Sequence, residues 1–195
     1  MEMLARREAT LPQQFAGSSR VRGNQARWYL VRTPQGMEQA ICNKVKQLVT
    51  PALLADAFVM QKEYWFKRDG MWSLQRKPMY KGYFVVATAD PAALDRALAR
   101  LSFHVRIAGS EQRAYPSMPP QAQAWYESAM DAEHVVRSSV GLIEGGVLSI
   151  TSGPLAGQEA RVRKIDRRKR WCVVRVGEGE ESFNEVLPMD IPIKN

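Results

Sequence analysis

The side chains that could do chemistry in this sequence are mainly cations. The chain has 195 residues, in which 28 Lys and Arg stand against 20 Asp and Glu, giving a net charge of +8. Its two histidines, His104 and His134, stand 30 positions apart, and no carboxylate pair, nucleophile elbow or phosphate-cradling glycine loop accompanies them. We therefore expect neither an enzyme nor a cofactor, and the basic excess predicts an anionic partner.

The two cysteines do not form a recognisable metal or redox motif. Cys42 and Cys172 stand far apart in the chain, with neither a CxxC pair nor a ligand spacing to a histidine. A free thiol in a cytoplasmic protein most often packs as a small apolar side chain. Both are expected to be buried, and neither a disulfide nor a metal site is predicted.

The densest basic cluster occupies residues 161–170, where seven of ten side chains are Lys or Arg. Val162 and Ile165 have the character of core positions, but their spacing of three breaks strict alternation and predicts a bulge near Arg163 and Lys164. The run "DRRKR" then forms a turn from which its cations project, with Trp171 on the outer face. Such a turn suits phosphates and unpaired bases, although a merely solvated face is the alternative. The nucleic-acid candidates of this cluster are Arg161, Arg163, Lys164, Arg167, Arg168, Lys169, Arg170 and Trp171.

A second basic segment, "YWFKRDGMWSLQRK" (64–77), interleaves cations with aromatic residues. Asp69-Gly70 favours the positive φ angles of a two-residue hairpin turn, so the segment is predicted to be a β-hairpin. Its cations and tryptophans would suit contacts to an unpaired nucleic-acid strand, for which the family resemblance described below implies DNA. A solvated hairpin that packs one tryptophan on a sheet is an equal alternative. The candidates here are Lys67, Arg68, Arg76 and Lys77.

The remaining pattern predicts an α+β fold. The order of the predicted elements suggests a mainly antiparallel sheet flanked by helices. These elements are a strand over 27–32, a helix over 37–48, the hairpin, a strand over 82–88, a helix capped by Asp90 and a strand over 103–108. A further helix is predicted over 121–132. Beyond it, short β-runs at 147–151, 158–165, 171–176 and 182–187 are typical of a small SH3-like barrel.

These elements divide the chain into four predicted parts: a disordered basic tail at 1–26, a first domain at 27–131, a linker at 132–144 and a barrel domain at 145–195. No run approaches the roughly 18 apolar residues of a membrane span, and the first residues lack the apolar centre of a signal peptide. A cytoplasmic protein is therefore expected.

Three stretches, in this order and spacing, resemble the NusG family of transcription elongation factors: "RWYLVRTPQGMEQAICNKV", "RKPMYKGYFVV" and "IEGGVLSITSGPLAGQEARVRKIDRRKR". The resemblance implies an NGN domain followed by a KOW barrel. The basic run that ends the third stretch is most similar to the specialised paralogues of the LoaP antiterminator type.

The resemblance also implies partners and their contact residues. The NGN domain of the family docks on the clamp helices of the RNA polymerase β′ subunit, and the matching positions are Tyr29, Arg32, Tyr80, Tyr83 and Val85. For Tyr29 and Phe84, an ordinary place in the sheet core is the alternative, whereas Tyr83 and Val85 should occupy the face opposite Phe84. The polymerase β subunit and non-template DNA are further candidate contacts, and nascent RNA is the expected ligand of the KOW domain of a monomeric factor.

Two other functions stay open at this stage. The first is a housekeeping NusG-type elongation factor whose KOW domain binds ribosomal or termination partners. The second is a ribosome- or RNA-binding KOW protein that never contacts polymerase. The basic cluster at 161–170 favours the specialised antiterminator over the housekeeping factor.

Overall fold

The structure, a computed structural model, describes residues 26–112 and 114–192. The expected basic tail therefore lies almost entirely outside the described residues. The described elements are helices α1 (Glu38–Leu48), α2 (Pro91–Leu98) and α3 (Pro120–Ala129), and strands β1 (Arg27–Arg32), β2 (Asp56–Phe58), β3 (Gln61–Arg68), β4 (Met71–Pro78), β5 (Tyr83–Thr88), β6 (Arg106–Ile107), β7 (Val135–Val136), β8 (Ser139–Glu144), β9 (Val147–Ser152), β10 (Val162–Asp166), β11 (Trp171–Val176) and β12 (Phe183–Asp190).

The chain divides into two compact units. The first contains residues 26–57 and Gly82–Ser117, and the second contains Phe58–Lys81 and residues 118–192. With three helices and both antiparallel and parallel strand pairs, the α+β class is confirmed. The finer arrangement, an NGN domain followed by an SH3-like barrel, stays a prediction, and so do the domain limits at 27–131 and 145–195.

In the first unit, four strands form a sheet in the order β2-β5-β1-β6. The central pair is antiparallel and runs in register from Arg27 opposite Thr88 to Arg32 opposite Tyr83. Helix α2 begins where the sequence predicts, because the Asp90 carboxylate accepts a hydrogen bond of 2.8 Å from the backbone N–H of Ala93.

Gly82 fixes the entry into β5. Its φ of +78° lies in the left-handed region, and a Cβ there would lie 3.3 Å from the carbonyl oxygen of Thr33. Its N–H donates to the carboxylate of Glu38 at 2.7 Å, and its own carbonyl accepts from the N–H of Thr33 at 2.9 Å. The glycine therefore joins the end of β1 and the start of α1 to β5.

The second unit contains two sheets. Strands β4-β3-β7 form one, and β10-β11-β12-β8-β9 form the other. Alternate residues of β11, namely Cys172, Val174 and Val176, are fully buried, and the burial of Cys172 confirms the prediction for that thiol. Helix α3 lies near the end of this strand. The Cβ atom of Ala122 is 3.9 Å from the position that a Cβ atom at Gly177 would occupy.

The structure differs from the sequence-based expectations about these strands in two places. The segment 132–144, predicted to be a linker, contains β7 and all of β8. The hairpin β3–β4, predicted to belong to the sheet of β1 and β5, instead pairs with β7 in a separate sheet. Both differences arise because strand partners that are remote in the sequence leave no local periodic signal.

Among the described residues, no helix is long and apolar enough to cross a membrane.

Candidate nucleic-acid interface

The basic cluster ends in a tight connection between β10 and β11. Asp166 closes β10 and pairs with Trp171, the first residue of β11. The Asp166 carboxylate accepts a hydrogen bond of 2.9 Å from the N–H of Lys169, and Arg170 adopts a φ of +54°. These two features close a four-residue turn, which we call the basic loop (residues 167–170).

Three cations of the basic loop point into solvent. Arg167, Arg168 and Lys169 are exposed, and no described carboxylate forms an ion pair with any of them. Because like charges in one turn repel each other, their placement does not stabilise the fold and suits an external anion.

Arg170 does not project with the others, so that part of the prediction is wrong. Its guanidinium donates to the carboxylate of Asp190 at 3.2 Å, and its backbone carbonyl accepts from the N–H of Met189 at 3.1 Å. The guanidinium carbon also lies 4.6 Å from the ring centroid of Trp65 and 5.0 Å from that of Trp72. Arg170 therefore joins the basic loop to the β3–β4 hairpin.

The predicted bulge is confirmed, because the register of β10 against β11 shifts between Val162 and Lys164. Of the cations around it, Arg163 is exposed, and Lys164 lies over the Trp171 ring at 5.9 Å. Arg161 is used within the fold instead: it donates at 3.4 Å to the backbone carbonyls of Arg175 and Gly177.

The β3–β4 hairpin turns at Asp69-Gly70, where φ angles of +50° and +81° confirm the predicted turn. The indole N–H of Trp65 donates to the hydroxyl of Ser138 at 3.1 Å. Lys67 lies 5.7 Å from the centroid of the Trp72 ring on the opposite strand. Trp65 thus anchors the hairpin through its indole N–H, and the Trp72 ring lies near two cations, Lys67 and Arg170.

The remaining hairpin candidates differ in their surroundings. Arg76 forms an ion pair of 2.7 Å with Glu133, a carboxylate that Arg137 also contacts at 2.8 Å. Arg68 lies 3.5 Å from Asp69 at the exposed tip. Lys77 lies 4.4 Å above the Tyr64 ring, with no ion pair to a described carboxylate. Of these three, only Lys77 faces the groove described next.

A groove of about 450 Å³ lies between the hairpin, the basic loop and β12. Its wall is unusually rich in aromatic and basic side chains, and Glu63 is its one acidic side chain. The groove residues are Lys62, Glu63, Tyr64, Trp65, Phe66, Lys67, Trp72, Lys77, Lys169, Arg170, Trp171, Val186, Leu187 and Pro188.

The acidic groups near the groove are already engaged. Glu63 accepts hydrogen bonds from the guanidinium of Arg137 at 3.1 Å and from the N–H of Ser138 at 2.7 Å. Glu185 forms an ion pair of 2.9 Å with Lys62. Burial, followed by the positive charges of Lys62 and Lys81, lowers the pKa of Lys77. The groove is therefore short of negative charge, which an anionic ligand would supply.

The groove residues missing from the sequence-based candidates include Lys62, Tyr64 and Phe66. These three positions share one face of β3, but residues of the other face, Glu63, Trp65 and Lys67, also line the groove, so alternation offered no signal. Their juxtaposition with the basic loop had no local signal, because it depends on packing between remote segments.

The tyrosines predicted to dock on polymerase are buried. Tyr80 is 8% exposed and lies 3.1 Å, oxygen to oxygen, from the hydroxyl of Tyr126, which donates to the Glu185 carboxylate at 3.2 Å. Burial raises the pKa of both hydroxyls, so both stay protonated at neutral pH. Tyr80 belongs to a buried hydrogen-bond network of the second unit.

The other four polymerase candidates lie on two faces of the first sheet. Arg32, Tyr83 and Val85 share one face, because Arg32 pairs directly with Tyr83 and the side chains alternate. Tyr29 pairs with Val86 and lies on the opposite face. Tyr83 is only 4% exposed, and Val85 is fully buried, whereas Arg32 is exposed. Arg32 therefore offers the accessible group of this set.

The two cysteines are buried and free, as predicted. Burial raises the pKa of Cys42 to about 11 and that of Cys172 to about 12. No group of three His, Cys, Asp or Glu side chains that could hold a metal ion is found in the described ranges.

The chain matches no protein-family model and no curated protein. Among solved structures it is similar to one described as "Domain interaction in Thermotoga maritima NusG", with a TM-score of 0.43 and 14% identity over 84% of this chain and 93% of that chain.

Proposed function

We propose that this protein is a NusG-type transcription factor that promotes processive elongation or antitermination on particular operons. The observation that carries the proposal is the basic loop, whose three exposed cations have no ion-pair partner among the described residues and lie beside a groove of aromatic and basic side chains. Phosphates and unpaired bases are the ligands that this combination favours. The three ordered sequence motifs supply the connection to transcription.

In this proposal the first domain binds the clamp helices of the bacterial RNA polymerase β′ subunit. Arg32 supplies an exposed cation on the sheet face that also carries Tyr83 and Val85. A factor that binds the closed clamp more tightly than the open clamp shifts the polymerase toward the closed, processive state. The protein itself catalyses no reaction, needs no cofactor and works as a cytoplasmic monomer.

The C-terminal domain, a KOW barrel in this proposal, contacts an RNA element of the nascent transcript. Arginine forks bind phosphate oxygens in pairs, and an adjacent tryptophan can stack on an unpaired base. Arg167 and Arg168 are the exposed arginines of the basic loop, and Trp171 follows it directly.

Polymerase binding is tested by capture on immobilised β′ clamp helices. Arg32→Ala is expected to weaken binding about five- to thirtyfold, because arginines at interface centres commonly contribute roughly 1–2 kcal/mol. Arg100→Ala, which removes another exposed cation of the first unit, is the matched control and should bind normally.

Crosslinking in cells, followed by identification of the bound proteins and transcripts, separates the alternatives. Recovery of polymerase β and β′ subunits with a restricted set of transcripts supports the antiterminator. Polymerase recovered without any specific transcript would favour the housekeeping factor. Ribosomal components recovered without polymerase would overturn the transcription assignment.

A further inference from the structure

The β3–β4 hairpin and the basic loop both line the groove. The sequence alone indicated them only as two separate basic surfaces. We propose that this groove holds an unpaired stretch of RNA, so that the hairpin and the loop form one continuous RNA site. The inference rests on the proposed function for the identity of the nucleic acid. It adds the hairpin to the site and defines the form in which the RNA is bound.

The first support is charge. Lys67, Lys77 and Lys169 line the groove, and no described carboxylate forms an ion pair with them. The nearby acids are already satisfied, since Glu63 bonds to Arg137 and Glu185 bonds to Lys62. Folding alone therefore leaves three cations around one cavity, where they could neutralise backbone phosphates and release the counterions condensed on the nucleic acid.

The second support is the aromatic wall. Phe66 is 39% exposed, and it lines the groove with Tyr64 and Trp171. Among the described residues, no cation lies over the Phe66 ring, whereas Lys77 covers Tyr64 and Lys164 covers one side of Trp171. Phe66 is thus a ring on which a base can stack.

The aromatic wall also determines the form of the ligand. In a duplex the faces of the bases are stacked on each other, so the rings could not reach them. Unpaired bases present both faces, and successive bases can stack on rings while lysines follow the backbone. Lys169 belongs both to the basic loop and to the groove, which makes the two surfaces continuous.

The test is fluorescence anisotropy of the full chain with a labelled single-stranded RNA, measured over a salt series. Phe66→Ala is expected to weaken binding about five- to a hundredfold while leaving the salt slope unchanged. Lys67→Gln with Lys77→Gln should reduce the slope of log K against log salt by about 1.4, because each phosphate contact contributes about 0.7. Met71→Ala is the control, since Met71 is 73% exposed on the same hairpin and does not line the groove.

Circular dichroism melting of each variant separates lost binding from lost folding, and Phe66→Leu serves as a second variant that keeps the apolar volume without the stacking ring. A duplex RNA of the same sequence should bind more weakly than the single strand. Equal binding of duplex RNA, tighter binding of the matching DNA strand, or binding of polyglutamate at the affinity of RNA would each overturn the inference.

The outcome also distinguishes this inference from the proposed function. If changes in the exposed loop weaken RNA binding while the groove variants bind normally, the RNA site is the loop alone and the groove assignment is wrong. If the unaltered protein binds no RNA, the RNA part of the proposed function is wrong, and this inference, which rests on it, is wrong as well.

Discussion

The guanidinium carbon of Arg170 lies 4.6 Å from the centroid of the Trp65 ring, and the same side chain reaches the carboxylate of Asp190. This relationship connects a turn near the C-terminus with a hairpin from the first half of the chain. Arg170 therefore contributes to the fold, whereas the other cations of the basic loop, Arg167, Arg168 and Lys169, remain exposed and available to a ligand.

The first prediction concerns this pair. A double-mutant cycle of Arg170→Ala and Trp65→Ala should give a coupling free energy of about 0.5–2 kcal/mol, the range for a partly desolvated cation over an indole. Urea unfolding followed by circular dichroism measures it. Arg168→Ala is the control, because this exposed arginine should show no coupling to Trp65. Strict additivity of Arg170 and Trp65 would contradict the contact.

The second prediction concerns the three exposed cations of the basic loop. Changing Arg167, Arg168 and Lys169 together to Gln should leave the melting temperature unchanged or slightly raised, because mutual repulsion is relieved. RNA binding should fall, with the salt slope reduced by about 2, since three contacts at about 0.7 each are lost. Fluorescence anisotropy across a salt series measures both effects.

A matched control for the loop variant removes three exposed cations from the first unit, Lys44, Arg96 and Arg100, by the same change to Gln. It alters the net charge equally. If the control variant loses as much RNA affinity as the loop variant, the binding depends on overall charge and not on the basic loop.

The third prediction compares two ion pairs of the same length. Lys62 and Glu185 lie 2.9 Å apart with side chains 12% and 8% exposed, whereas Lys46 and Asp56 lie 2.9 Å apart with both side chains 44% exposed. Lys62→Met should lower the free energy of unfolding by about 3–5 kcal/mol, because it leaves a buried carboxylate without its counter-charge. Lys46→Met should cost about 0–1 kcal/mol.

Chemical denaturation of the two single variants measures this difference. Adding Glu185→Gln to Lys62→Met should recover part of the loss, since the uncompensated charge is then removed. Equal effects of Lys62→Met and Lys46→Met would contradict the buried ion pair.

The fourth prediction concerns the thiols of Cys42 and Cys172. Their pKa values of about 11 and 12 in the folded state exceed the roughly 8.5 of an exposed thiol. Both should therefore react slowly with a disulfide reagent at pH 8 and quickly once the chain is unfolded. Since the folded state retains protons that the unfolded state loses, the free energy of unfolding should fall as the pH rises above about 8.5.

Thiol release followed by absorbance measures the reaction, and Cys42→Ser and Cys172→Ser variants assign each site. A thiol that reacts in the native protein as fast as in denaturant would show that it is not buried.

Local patterns in the sequence determined much of the secondary structure. The β-branched and aromatic run 27–32 and the alternation of 171–176 predicted β1 and β11 at their observed bounds, because alternation depends only on neighbouring residues. Asp90 predicted the start of α2, and Asp69-Gly70 predicted the turn between β3 and β4. Both signals are local, because capping and positive φ angles depend on one or two residues.

The sequence alone predicted only part of the candidate nucleic-acid interface. The sequence identified the basic loop and the hairpin as separate cationic surfaces, and composition alone was enough for that. It could not show that Arg170 turns back onto Trp65 and Trp72, because the tryptophans and the arginine meet only after remote strands have paired.

Tertiary structure alone decided which strands share a sheet and which side chains share a face. The pairing of β3 with the two-residue strand β7 puts the hairpin in a different sheet from β1 and β5, and no periodic pattern can predict a strand of two residues. The register of β1 against β5 likewise separated Tyr29 from Tyr83. Alternation predicts that a strand has two faces, but the neighbours that pack against each face determine which residues are left for a partner.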